Sequence, residues 1–104
     1  MCSRYSSASD LTSLARAIEL VFYYALFAPR YNIAPTQSAP VICLDDQTPA
    51  LRMMRWGLVP PWAKSLTSGP ALINARSETL RTKPSFRPAL EQRRCLVPAD
   101  GYYE

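Results

Sequence analysis

The residue with the most distinctive chemistry stands second in the chain. Cys2 follows Met1 directly, so removal of the methionine exposes an α-amine and a thiol on adjacent carbons of one residue. The amine has a reference pKa of about 7.7–8.0 and the thiol about 8.5, so both are partly nucleophilic near neutrality. An aldehyde meeting such a pair forms an imine with the amine, and the thiol then closes a five-membered thiazolidine. An internal cysteine cannot do this, because its nitrogen is an amide. In an arbitrary protein a cysteine at position 2 is most often incidental, so the signal needs support from other residues.

Several kinds of chemistry are excluded at once. The 104 residues contain no histidine, which removes imidazole acid–base catalysis, imidazole metal ligands and every Ser-His or Cys-His pair. Cys2, Cys43 and Cys95 are an odd number without a C-x-x-C spacing, which argues against a disulfide framework and against zinc. Cys43 and Cys95 lie in apolar runs, VICL and CLV, and read as small buried core residues in a reducing compartment. The net charge of +4 is uneven. Residues 51–104 hold nine of the basic side chains against Glu78, Glu91, Asp100 and Glu104. Such an excess attracts phosphates in a salt-dependent way, although a solvated basic face explains charge alone equally well.

These residues need elements to position them. At 48% hydrophobic and 19% charged, the chain has the composition of a folded domain. Leu20–Ala28 has the outline of a signal peptide core, but Asp10 and Glu19 interrupt the stretch ahead of it, and it is too short to span a membrane. It reads instead as the end of an amphipathic helix over 10–28, capped by Asp10 and stopped by Pro29. Beyond it, prolines punctuate short apolar runs, as expected of strands joined by tight turns. Pro40–Leu44 and Leu51–Leu58 read as a strand pair around Asp45-Asp46-Gln47-Thr48. Leu72–Asn74 and Cys95–Pro98 read as short strands, and Glu78–Lys83 and Pro88–Arg94 as helical turns. Asp100-Gly101 reads as a tight turn into Tyr102-Tyr103. Trp56, in an apolar strand, reads as core. The fold class is α+β, with a strand-rich core and short helices.

Six segments follow one another in order: MCSRYS (1–6), RYNIAPTQ (30–37), MRWGLVPPWAK (54–64), INARSETL (73–80), KPSFR (83–87) and RRCLVPADGYYE (93–104). Together they resemble the SOS-response-associated peptidase (SRAP) family, whose members attach covalently to abasic sites in single-stranded DNA. The resemblance implies an SRAP-like fold and roles for particular residues. Cys2, freed of Met1, matches the nucleophile that forms a thiazolidine with the ring-opened sugar aldehyde. Asn74 matches a polar residue beside that cysteine, and Glu104 the carboxylate that moves protons during ring opening and amine attack. Arg4 and Arg76 match positions that hold phosphates next to the lesion, and guanidinium forks suit that task. Trp62 is placed to stack on or wedge against a base, a role evenly balanced with core packing, and Asn32 and Thr79 complete the DNA-contacting set. Asn74 and Arg76 also suit a turn after a strand, and Arg81, Lys83, Arg87, Arg93 and Arg94 an ordinary basic surface.

The chain departs from the family pattern in two ways. Ser3 stands where the family usually has glycine, and members usually continue beyond DGYYE with a tryptophan, further strands and a catalytic histidine. The chain is therefore expected to be residues 1–104 of a single SRAP domain, truncated at its C-terminal side. The function expected is an abasic-site sensor in the DNA damage (SOS) response, cross-linking through Cys2 with lyase-like chemistry. The partner expected is single-stranded DNA containing abasic sites; no cofactor, metal or membrane is implied. A monomer is expected, cytoplasmic and nucleoid-associated when bound. Two alternatives stay open. One is a cysteine autopeptidase that removes its own N-terminal residue or residues. The other is a truncated, non-catalytic binder of single-stranded DNA.

Overall fold

The computed structural model describes residues 2–9 and 28–104. Residues 10–27 of the helix expected over 10–28 lie outside the described residues. Among the described residues the chain is strand-rich, with one short helix. The strands are β1 (Arg4–Ser7), β2 (Arg30–Ile33), β3 (Ser38–Asp45), β4 (Thr48–Arg55) and β5 (Gly101–Tyr103), with α1 (Arg87–Gln92) between β4 and β5. One sheet has the order β2-β1-β5, and β3 and β4 form a separate hairpin. No helix among the described residues is long and apolar enough to cross a membrane.

The hairpin follows from its turn. Asp45 pairs with Thr48, leaving Asp46 and Gln47 as a two-residue loop with φ of 49° and 70°. Two successive positive φ values match the right-handed twist of the flanking strands. The apolar stretches on either side pair in register from Ser38↔Arg55 to Asp45↔Thr48. The second strand was expected to run to Leu58 but stops at Arg55. The reason is Gly57, whose φ of 134° is a conformation that side chains rarely adopt. A Cβ there would also meet Arg55 Nη1 at 3.3 Å.

The other short elements are more fragmentary than the sequence suggests. Leu72–Asn74 supplies a single bridge, Leu58↔Leu72, and Cys95–Pro98 another, Ile42↔Leu96. Glu78–Lys83 forms turns rather than helix: the Thr82 and Lys83 N–H groups donate to Thr79 O at 3.1 and 3.0 Å. Pro84 disfavours helical backbone at Lys83 and blocks continuation. The helix expected over Pro88–Arg94 is α1, one residue earlier and ending at Gln92. Arg87 and Glu91 pair along it at 3.1 Å. Asp100-Gly101 is not a free-standing turn, because Gly101 already pairs with Ser6 in β5.

Tyr5, Ile33 and Ala39 form a buried cluster, with Trp56 packed against it. Tyr5 and Ile33 are direct partners across β1 and β2, so both point to one face. Trp56 meets Tyr5 edge-on, with ring centroids 5.4 Å apart and planes at 67°, a favoured aromatic geometry. The link to the hairpin is continued by backbone: Thr36 N–H donates to Trp56 O at 2.8 Å, and Trp56 N–H to Gln37 O at 2.9 Å. Val41, Ile42 and Leu51 are also buried. The expectation for the cysteines is corrected here, since Cys43 is half-buried and Cys95 exposed. Among the described residues a single bridge, Ile42↔Leu96, joins β3 to the Cys95 segment.

Candidate active site

Cys2 lies at the head of β1, the central strand of its sheet. The strand runs between β2 and β5, with Tyr5 opposite Ile33 on one side and Tyr102 on the other. Alternation along this strand sends Tyr5 into the core and leaves Arg4 exposed. Cys2 itself is half-buried. Its Sγ donates to Arg4 O at 3.3 Å. Asn74 Nδ2 donates to Cys2 O at 3.0 Å, across 72 residues of chain. The amide thereby ties the backbone of Cys2 to the segment after Leu72 and takes up neither its nitrogen nor its sulfur. Burial holds the Tyr5 hydroxyl above its usual pKa; Arg30 opposes the shift, and Cys2 and Cys95 add to it.

Arg4 Nη1 donates to Asn32 Oδ1 at 3.2 Å, joining β1 to β2 on their exposed side. Glu104 follows β5 and is exposed. The β1–β5 register runs Ser6↔Gly101, Tyr5↔Tyr102, Arg4↔Tyr103, and Glu104 comes directly after that last pair. Tyr103 Oη donates to Tyr31 O at 2.7 Å, tying the end of β5 to β2. Hydrogen bonds join four of the expected residues, Cys2, Arg4, Asn32 and Asn74, at one end of this sheet, and Glu104 follows its strand β5.

The other three are placed differently. Arg76 and Thr79 share a turn, with Thr79 N–H donating to Arg76 O at 3.2 Å. Arg76 is exposed two residues beyond Asn74, and Thr79 is half-buried. Trp62 is 63% exposed in the turn closed by Ala63 N–H to Pro60 O. Among the described residues no hydrogen bond or ring contact joins Trp62 to Cys2.

Two supporting residues escape a reading of the sequence. Asp100 accepts from Ser9 Oγ and from the Ala8 and Ser9 N–H groups, anchoring the exit of β1. These bonds, the Ser9 hydroxyl foremost, hold its carboxyl below the ordinary range. Gln37 Oε1 accepts from Arg30 Nη2 at 2.8 Å and from Ala34 N–H at 3.0 Å, shaping the β2–β3 connection. The Asp-Gly pair looked like a turn signal, and nothing local to Gln37 marks it.

A cavity of about 180 Å³ beside Gly69–Ala71 and a groove of about 300 Å³ along Cys43–Leu44 contain none of the eight expected residues. Among the described residues no three His, Cys, Asp or Glu side chains lie together to hold a metal ion.

Comparison with known proteins bears on the whole chain. It matches the family described as SOS response associated peptidase (SRAP) over residues 1–104. It is 41% identical over 106 residues to the abasic site processing protein YoqW of Bacillus subtilis, covering 100% of this chain and 47% of that protein. It is 39% identical over 106 residues to YoaM of the same organism, with the same coverage. A vertebrate relative, the abasic site processing protein HMCES of Rattus norvegicus, is 39% identical over 92 residues, covering 75% of this chain and 26% of that protein. The chain thus spans about half the length of the bacterial relatives. With a family match over residues 1–104, from ahead of β1 to Glu104 after β5, this chain belongs to the SOS response associated peptidase (SRAP) family.

Proposed function

We propose that this chain carries the nucleophilic part of an abasic-site processing protein, and that Cys2, freed of Met1, forms a thiazolidine with abasic sites in single-stranded DNA. The observation that carries the reading is the 3.0 Å hydrogen bond from Asn74 Nδ2 to Cys2 O, which holds the cysteine backbone two residues before the exposed Arg4. The names of the YoqW and HMCES relatives support the same direction.

The chemistry balances without a cofactor. An abasic sugar in its open form presents an aldehyde at C1′. The Cys2 amine attacks that carbon, and loss of water gives an imine. The Cys2 sulfur then adds to the imine carbon, and its proton passes to the nitrogen, closing the ring. Glu104, directly after β5, shuttles protons: to the departing oxygen in the first step and to nitrogen in the second. Arg4, oriented by Asn32, and Arg76 hold flanking phosphates. Trp62 and Thr79 contact DNA farther along the strand, where an exposed indole offers a stacking face.

The test is incubation of the processed chain with an abasic single-stranded oligonucleotide, followed by denaturing electrophoresis. A shifted band that disappears with Cys2→Ala is expected. An unshifted wild-type band, or a shift that survives Cys2→Ala, refutes the proposal.

A further inference from the structure

We propose that Cys43 and Cys95 are an oxidation site, a cross-strand thiol pair that closes to an intramolecular disulfide when a small-molecule disulfide acts as oxidant. The juxtaposition follows from register. Ile42 N–H donates to Leu96 O, and Leu96 N–H to Ile42 O, each at 2.8 Å. Next to such a doubly bonded antiparallel pair comes the closer, non-hydrogen-bonded position, with Cα atoms about 4.5 Å apart and side chains on one face. One step along from Ile42↔Leu96, that position is Cys43 opposite Cys95. Cα separations of about 4.4–6.8 Å accommodate a disulfide.

Three further observations agree. Both cysteines are free, Cys43 half-buried and Cys95 exposed. Both line the same surface groove, with Ile42, Leu44 and Leu96. Partial desolvation and then the neighbouring Cys43 raise the Cys95 thiol pKa, in keeping with the register that sets the two residues side by side. The reaction therefore accelerates as pH rises, because the thiolate is the attacking form.

Oxidised glutathione serves as the probe. The Cys95 thiolate attacks one glutathione sulfur and expels the other as a thiolate, leaving a mixed disulfide. The Cys43 thiolate attacks the Cys95 sulfur and expels the second glutathione thiolate. Two electrons pass from the protein to the oxidant, and the two thiol protons leave with the two reduced glutathiones. The bridge ties the Cys95–Val97 segment covalently to β3.

The experiment uses Cys2→Ser, which retains only these two thiols. After incubation with oxidised glutathione, remaining thiols are blocked with maleimide and the chain is weighed. A product lighter by two hydrogens, free of maleimide, monomeric and reversed by dithiothreitol is expected. In concentrated urea, where register is lost, the mixed disulfide should accumulate instead. Adding Cys95→Ser, a change at an exposed position, should leave Cys43 as a free thiol or a glutathione adduct. Two glutathione adducts on the native chain, persistent labelling of both thiols, disulfide-linked dimers as the main product, or closure equally fast in urea would each overturn the proposal.

Discussion

Replacing Asn74 by alanine removes a side-chain hydrogen bond to the Cys2 backbone and alters neither the nitrogen nor the sulfur of Cys2. The bond is 3.0 Å long and partly buried, between a neutral amide and a neutral carbonyl. Such bonds contribute about 0.5–1.5 kcal/mol net. If the bond holds Cys2 in its reactive position, that energy is the penalty for reaching the same position without it. The cross-linking rate should then fall by about two- to thirteen-fold. Single-turnover cross-linking to an abasic oligonucleotide, with DNA in excess, measures the rate. Asn74→Asp should lose more than Asn74→Ala, because a carboxylate at neutral pH has no proton to donate and faces the carbonyl oxygen with like charge. Acidification toward the reference carboxyl pKa of about 3.9 should narrow the gap between the two variants. An unchanged rate in Asn74→Ala would show that the amide does not position Cys2. A loss beyond about a hundredfold, or about 2.7 kcal/mol, would also refute the reasoning, because one positioning bond cannot supply it.

Ile33 has no exposed surface, so Ile33→Ala should cost about 2–5 kcal/mol and Ile33→Val about 0.5–1.5, read as shifts in the urea midpoint. A smaller loss in the alanine variant would mean that Tyr5, Ala39 and Trp56 collapse into the space. Asp100 has its folded pKa depressed, chiefly by Ser9, so its contribution is present above the unfolded value and lost as pH falls through the folded one. Asp100→Asn should therefore flatten the acid limb of a plot of Tm against pH, and an unaltered limb would show that the Ala8–Ser9 contacts do not matter in solution. Trp62 is 63% exposed, so Trp62→Ala should leave Tm nearly unchanged while weakening oligonucleotide binding by about 1–3 kcal/mol. A Tm drop with unchanged binding would assign the indole to packing.

The parts of this fold legible in the sequence are those with local causes. The β3–β4 hairpin is written in two apolar stretches around a polar tetrapeptide, and its loop falls within Asp45–Thr48. Trp56 reads as core from its apolar neighbours, and it packs there. What fails depends on single backbone conformations or distant partners. The positive φ of Gly57 ends β4 early, and Pro84 denies a helix to residues whose composition suits one. Cys95 reads as buried from its neighbours alone, but burial requires covering structure, and β3 meets that segment at one bridge. At the site, Cys2 is marked by its own chemistry. Asn74, Glu104 and Arg4 gain their roles by matching a family pattern, because contacts 72 and 28 residues apart have no local signature. Asp100, whose contacts with Ser9 span 91 residues, has none either.

The central place of β1 has a consequence for the order of events during synthesis. This strand precedes the other described strands in the chain, yet one of its two neighbours is β5, with Gly101 O accepting from Ser6 Oγ across 95 residues. Contacts of such wide separation form late, because the closure entropy of the intervening chain must be met first. β1 therefore keeps its β5 side unpaired until the chain up to Tyr103 has been made. The segment that carries Cys2 is thus among the last parts of this sheet to be set in place.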